Sequence, residues 1–166
     1  MGFGDRSLTT VSFVLVCGFG FAQESPCPKR AVFDAVPEIG ETIDQRIESD
    51  CELMTASAQT WPSVEVEVEE ITYTVAFHRK THSVTWVSTA SRRFETPDGV
   101  SPGDSYDSIS HLVVSGPHCE RGWGEYTCFE SGWCAYLSPR SWHDFLESLN
   151  CEEKDAQRFV GHVFQR

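Results

Sequence analysis

The residues of this chain that could do chemistry are six histidines, a group of turn aspartates and a crowd of aromatic rings. A metal site needs three or four donors converging on one point. His78 and His82 flank a polar connector where they could meet, but no third ligand is identifiable beside them, and His111, His118, His143 and His162 are scattered. No Cys-x-x-Cys pair occurs and the cysteine spacings are irregular, so no metal site is expected. Asp98, Asp104 and Asp107 surround Gly99 and Gly103 but miss the Asp-x-Asp-x-Asp-Gly ladder and its terminal Glu, which assigns them to turns and helix capping rather than to calcium. Serines are plentiful without a Gly-x-Ser-x-Gly elbow, and the paired carboxylates Glu69 and Glu70 sit on an acidic strand face that requires only solvent. Gly122-Trp123-Gly124 is not followed by the helix and Lys of a phosphate loop. On these grounds the sequence assigns no catalytic residue and no cofactor.

The aromatic residues carry more. Trp123, Tyr126, Phe129, Trp133 and Tyr136 crowd a short stretch whose strand alternation would send them to both faces of a sheet, so all five cannot enter one core. Trp and Tyr are favoured interface anchors, being large, stiff and polar at one end. A partner-binding surface is one reading of the five; a small core lined by aromatics and disulfides is the other.

The cysteines set the compartment. Residues 1–22 have a short polar start in which Asp5 offsets Arg6, an apolar run from Leu8 to Phe21, and Gly20-Phe21-Ala22 before Gln23, small residues that suit a signal-peptidase pocket. The run is too short for a membrane-spanning helix, so it reads as a cleavable signal peptide. Val14-Leu15-Val16 before Cys17 lacks the small residue usual at a lipidated cysteine, which makes a lipoprotein the second reading. Cleavage after Ala22 would leave residues 23–166 as one exported domain, periplasmic or extracellular, with an even set of cysteines: Cys27, Cys51, Cys119, Cys128, Cys134 and Cys151. Six cysteines admit fifteen pairings. Spacing favours one N-terminal bridge, between Cys27 and Cys51, and two among the other four.

The elements that would position these residues follow from periodicity. Gly40 to Ile47 reads as a short helix, with Thr42 and Gln45 placed for a capping box and Ile43 and Ile47 on one face. Residues 55–63 read as a loop. Val64, Val66 and Val68 alternate with glutamates, then Ile71, Tyr73, Val75 and Phe77 alternate in shifted phase, which predicts a half-buried strand with a break or bulge near Glu69-Glu70. Val84 to Thr89 is β-prone again, so an antiparallel hairpin is expected around the 78–82 connector. Asp104 to Leu112 predicts a second helix start. A turn at Ser131-Gly132 would set Phe129 opposite Cys134 and Cys128 opposite Ala135, a register in which Cys128 and Cys134 point to opposite faces and do not bridge. Ser141 to Leu149 has helical spacing, and residues 159–164 suit a closing strand.

Gly40-Glu41-Thr42-Ile43-Asp44 and Gly103-Asp104-Ser105-Tyr106-Asp107 echo each other, and with the hairpins that follow them they resemble the superfamily of β-lactamase inhibitory proteins and small outer-membrane-assembly lipoproteins. The Gly-Met pair usual in that superfamily is Gly-Glu and Gly-Asp here, and its Gly-x-Pro appears only as Ser115-Gly116-Pro117. The resemblance implies helices packed against an antiparallel sheet, often in tandem. The expected fold is therefore α+β: an antiparallel sheet with short helices on one face, stabilised by disulfides, with two similar tandem units over 31–95 and 96–166 as an open alternative.

The formal net charge of −12 makes nucleic acid and anionic membranes poor partners, since phosphate binding needs concentrated Lys and Arg. Taken together, the sequence points to a non-enzymatic protein-binding or inhibitory module, its partner an unknown protein or glycan of the cell envelope. An extracytoplasmic hydrolase or cell-wall-active enzyme and a structural envelope component are the rival readings.

Overall fold

Strict alternation of valine with glutamate can bury one face of a strand only if further strands continue the sheet on either side. The computed structural model, which describes residues 30–47, 49, 51–54, 60–120, 123–139 and 157–166, supplies them. Its elements in chain order are β1 (Arg30–Val32), β2 (Cys51–Met54), β3 (Thr60–Val68), β4 (Ile71–Phe77), β5 (Val84–Thr89), α1 (Tyr106–Ile109), β6 (Ser115–Glu120), β7 (Gly124–Cys128), β8 (Cys134–Pro139) and β9 (Arg158–Gln165). They form one nine-stranded sheet in the order β1-β3-β4-β5-β9-β8-β7-β6, with β2 also paired to β3. Every pairing is antiparallel except that of β1 with β3.

The expected α+β fold with helices packed on one face is overturned. Among the described residues helix is confined to α1 and the 3₁₀ turn Ser110–Leu112 that continues it, so the fold is nearly all-β. Gly40 to Ile47 is not helical. Gly40 N–H donates to the Val84 carbonyl and Ile43 N–H to that of His82, while Thr42 and Ser83 form an isolated bridge. Backbone pairing with a preformed hairpin outcompetes a helix too short to repay its own nucleation. Only the Gly103 copy of the two echoed segments leads into a helix, where Ser105 caps α1 by accepting from Ser108 N–H. With no helix at Gly40, the tandem-unit alternative loses the feature that suggested it. The two chain halves instead join one sheet, where β5 pairs with the last strand, β9.

Two further expectations are corrected in register. The break at Glu69-Glu70 is a complete hairpin turn: both residues have positive φ, 51° and 62°, and Val68 pairs with Ile71. Mirror-image turns of this kind suit the twist of a hairpin, and Asn-Gly is their usual sequence mark. Residues 60–63, read as loop, belong to β3, whose Cys51-paired end extends to Thr60. The expected hairpin between β4 and β5 is present. The predicted helix over 141–149 lies outside the described residues.

The sheet has two buried faces. The first is mainly aliphatic: Val64, Val66, Val75, Val84, Val87, Val160 and Val163 meet Ile43, Val100 and Ile109 from the covering segments, with Phe33, Val36, Phe94 and Tyr106 packed around them. Segment 103–105 is tied to β9, since Gly103 N–H donates to the Val160 carbonyl and Val160 N–H to that of Asp104. That tie seats α1 on the face, and the Arg158 guanidinium lies 4.4 Å over the Tyr106 ring. The second face buries Ala76, Trp86, Tyr126, Cys134, Tyr136 and Phe164.

Candidate functional site

The five aromatic residues singled out in the sequence are divided between these faces. Phe129 and Trp133 join the aliphatic core, where Trp133 lies against Phe94 at 4.8 Å. Tyr126 and Tyr136, directly opposed across β7 and β8, enter the second core, and Trp123 packs against it. Four of the five are buried; Trp123 alone keeps intermediate exposure. As a single exposed patch the five do not exist, but three of them form part of an assembled cluster.

The register of β7 and β8 explains this division. Cys128 pairs with Cys134 and Thr127 with Ala135, one residue away from the expected pairing, because the turn spans five residues, closed by Phe129 N–H to the Trp133 carbonyl. Asp98 fixes that turn by accepting from the Ser131 backbone N–H and hydroxyl. Directly opposed residues share a face. Cys128 and Cys134 therefore meet, and they form a disulfide. Cys51 and Cys119 are also disulfide-bonded. The expectation that Cys128 and Cys134 do not bridge is thus wrong, for the reason that a one-residue register shift moves every side chain to the other face.

Trp123 occupies the middle of the second face. Its ring stands nearly perpendicular to Trp86 at 5.9 Å, Tyr126 at 5.5 Å, Tyr136 at 5.3 Å and Phe164 at 5.3 Å. Edge-to-face contacts of this kind place positive ring edges on negative ring faces. Beneath it Trp86 stacks on Phe164, 4.4 Å apart and within 9° of parallel. Gly124, the residue after Trp123, is obligatory: at φ +110° a Cβ there would lie 2.9 Å from the Tyr136 ring. Trp86 Nε1 is buried, and it has no hydrogen-bond partner among the described residues.

The polar groups at this face are few and specific. His162, on β9 opposite Tyr136, stacks on its ring at 4.9 Å, and burial pulls the imidazole down to about 4. Burial, helped by the charge of Glu125, pushes the Tyr136 phenol up to about 12. Both groups are consequently neutral through the physiological range. At the rim, Arg166 Nη2 donates to the Tyr126 hydroxyl at 3.0 Å, and that hydroxyl donates to Glu120 at 3.1 Å. His118 lies against the outer side of Tyr126, 5.2 Å between rings. His162, Trp86 and Phe164 were not identifiable as site residues from sequence; the alternation of Phe159 to Phe164 was the available signal, but not which strand it would join.

Several of the other candidate residues have local structural contacts, and His143 lies outside the described residues. His78 Nδ1 accepts from the backbone N–H groups of Lys80 and Thr81 within the β4–β5 turn, and His82 stacks on Phe77. Asp104 accepts from Ser101 N–H, and Asp107 lies in the first turn of α1. Among the described residues no group of three or more His, Cys, Asp or Glu side chains is arranged to hold a metal ion. No helix among them is long and apolar enough to cross a membrane.

Fold and site define a disulfide-bonded, antiparallel sheet protein with an aromatic cluster on one face. Comparison with known proteins found no matching family model, no matching curated protein and no matching solved structure.

Proposed function

We propose that this chain is an exported, non-enzymatic binding or inhibitory protein that engages a protein or glycan of the cell envelope through the aromatic face of its sheet. The observation that carries this reading is Trp123, a partly buried indole contacted edge to face by four surrounding rings. A preoriented aromatic anchor loses little rotamer freedom on binding, and anchors of this type dominate interface energetics. Beside it the Trp86 N–H is buried and has no hydrogen-bond partner among the described residues. Export is supported by the Cys128–Cys134 disulfide and by the bonded state of Cys51 and Cys119, because such bonds persist in oxidising compartments.

The test is retention of envelope components from the producing cells on the immobilised, oxidised protein, beside a Trp123→Ala variant and an Arg93→Ala control on an exposed turn contact. The reading expects a component held by the wild type and the control but lost, at least tenfold, with Trp123→Ala. Retention of nothing above an empty matrix, or equal retention by all three proteins, overturns it. Thiol titration of the native mature chain addresses export separately, where fewer than three disulfides would contradict the proposed framework.

A further inference from the structure

A second, chemically distinct feature lies on the outer edge of the sheet. β6 ends the strand order, and on it the Ser115 hydroxyl and His118 Nε2 are 2.7 Å apart, both residues exposed. Residues three apart on a regular strand point to opposite faces and cannot meet in this way. They meet because β6 is bulged: Ser115 pairs with Cys128 and His118 with Tyr126, leaving two residues of β6 against one of β7. Bulges re-aim side chains and are frequent beside active sites. Gly116 makes this one workable, since at φ +119° a Cβ would come within 3.0 Å of Thr127 Oγ1 and of the Tyr126 carbonyl.

Both partners are held from behind. The buried Thr127 hydroxyl donates to the Ser115 carbonyl at 3.1 Å, and the His118 ring rests on Tyr126, itself tied to Glu120 and Arg166. In the tautomer with its proton on Nδ1, His118 presents the Nε2 lone pair to the serine hydroxyl, the arrangement by which a histidine activates a serine nucleophile. A positive charge arising on the imidazole would face the Tyr126 ring, a favourable contact for a cation.

We propose that Ser115 is a nucleophilic serine, activated by His118, which accepts acyl groups from activated esters. In the step, Ser115 Oγ attacks the ester carbonyl carbon while its proton passes to His118 Nε2. The bond from that carbon to the leaving oxygen then breaks, the leaving group departs with the electron pair, and His118 returns its proton to the solvent. The products are the O-acyl serine, the leaving alkoxide or phenolate and one proton, so no further reagent is consumed. The exposure of both residues gives an acyl donor access to the pair. His118 touches the cluster around Trp123 only through Tyr126 and Ser115 does not touch it, so acylation of Ser115 can be read without any bound partner.

The experiment treats the full oxidised protein with 4-nitrophenyl acetate, follows 4-nitrophenolate release, and maps the acetyl group by mass spectrometry in wild type, Ser115→Ala and His118→Gln. The expected result is one acetyl group on Ser115 of the wild type, none at that position in Ser115→Ala, and acylation at least tenfold slower in His118→Gln, in line with the usual size of general-base assistance. Since both side chains are exposed, neither substitution threatens folding. Acetyl groups confined to amines, or Ser115 acetylated at the same rate with and without His118, would overturn the assignment.

Discussion

The two faces of this sheet are built from the same strands and solve burial differently. The aliphatic face is closed by chain: Ile43, Val100 and Ile109 arrive from segments outside the sheet and complete a core in which valines outnumber the rings of Tyr73, Phe77, Phe129 and Trp133. The aromatic face is closed by rings that meet each other, with Trp123 inserted among Trp86, Tyr126, Tyr136 and Phe164. Valine packing is insensitive to orientation once volume is filled, whereas ring packing is directional and leaves polar atoms to be satisfied. The face built in the second way packs directionally, holds the imidazole of His162 against Tyr136, and leaves Trp123 partly exposed at its middle. That difference is why both the binding reading and the pH response belong to the aromatic face.

Neighbouring residues of β9 give the sharpest contrast between the faces. Phe164→Ala removes a fully buried ring stacked on Trp86, and should cost about 3–5 kcal/mol in urea unfolding under oxidising conditions. Val163→Ala, one residue away on the aliphatic face, removes far less volume and should cost about half as much. Equal losses would break the comparison.

The next effect is one of pH. The folded chain holds His162 near 4, below its ordinary 6.5, so between those values the unfolded chain takes up a proton that the folded one refuses. Stability is therefore complete above 6.5 and declines as pH falls toward 4, by roughly 3 kcal/mol from this residue alone. His162→Gln should flatten that slope in pH-dependent urea titrations. An unchanged slope would show that the aromatic face does not hold the imidazole neutral.

Replacing both Cys128 and Cys134 by alanine opens a short loop whose closure restricts the unfolded chain, and should lower stability by about 2 kcal/mol. Combined with Phe164→Ala, which touches the same face, the loss should depart from additivity, whereas with Val66→Ala on the other face it should add. The smallest effect is a gain: Asn-Gly in place of Glu69-Glu70 suits the left-handed backbone of the turn better and should stabilise by about 1 kcal/mol, read as a rise in the urea midpoint. No change there would mean that the Arg93–Glu70 ion pair contributes as much as the turn strain costs.

Much of the fold was legible from residues 64–89, because Val64 to Phe77 alternate with a period that only a half-exposed strand produces. The location of β7, β8 and β9 was legible for the same kind of reason, and that of α1 from the helix-start residues Asp104 and Asp107. The turn at Glu69-Glu70 was not, since glutamate carries no mark of a left-handed backbone; the surrounding strands impose it. Gly40 to Ile47 carried a good local helix pattern that lost to hydrogen bonds with His82 and Val84, partners some forty residues away. The candidate site was half legible. Trp123, Tyr126 and Tyr136 were identifiable by type, but Trp86, His162 and Phe164 complete the cluster only through pairing of β9 with β5 and β8.

By itself the sequence determined the composition of this protein's chemistry: strands with two usable faces, an aromatic supply concentrated late in the chain, a net negative charge and a set of cysteines suited to bridging. These are local or compositional properties, set by periodicity and side-chain type. Tertiary structure alone decided the partners. A turn of five residues rather than two moved Cys128 onto the face of Cys134, separated Phe129 and Trp133 from Tyr126 and Tyr136, and gathered four rings around Trp123. The physical reason is the two-residue period of a strand: one step of register exchanges the faces, and register is settled by which core fills and which turn is held, not by the pattern within either strand.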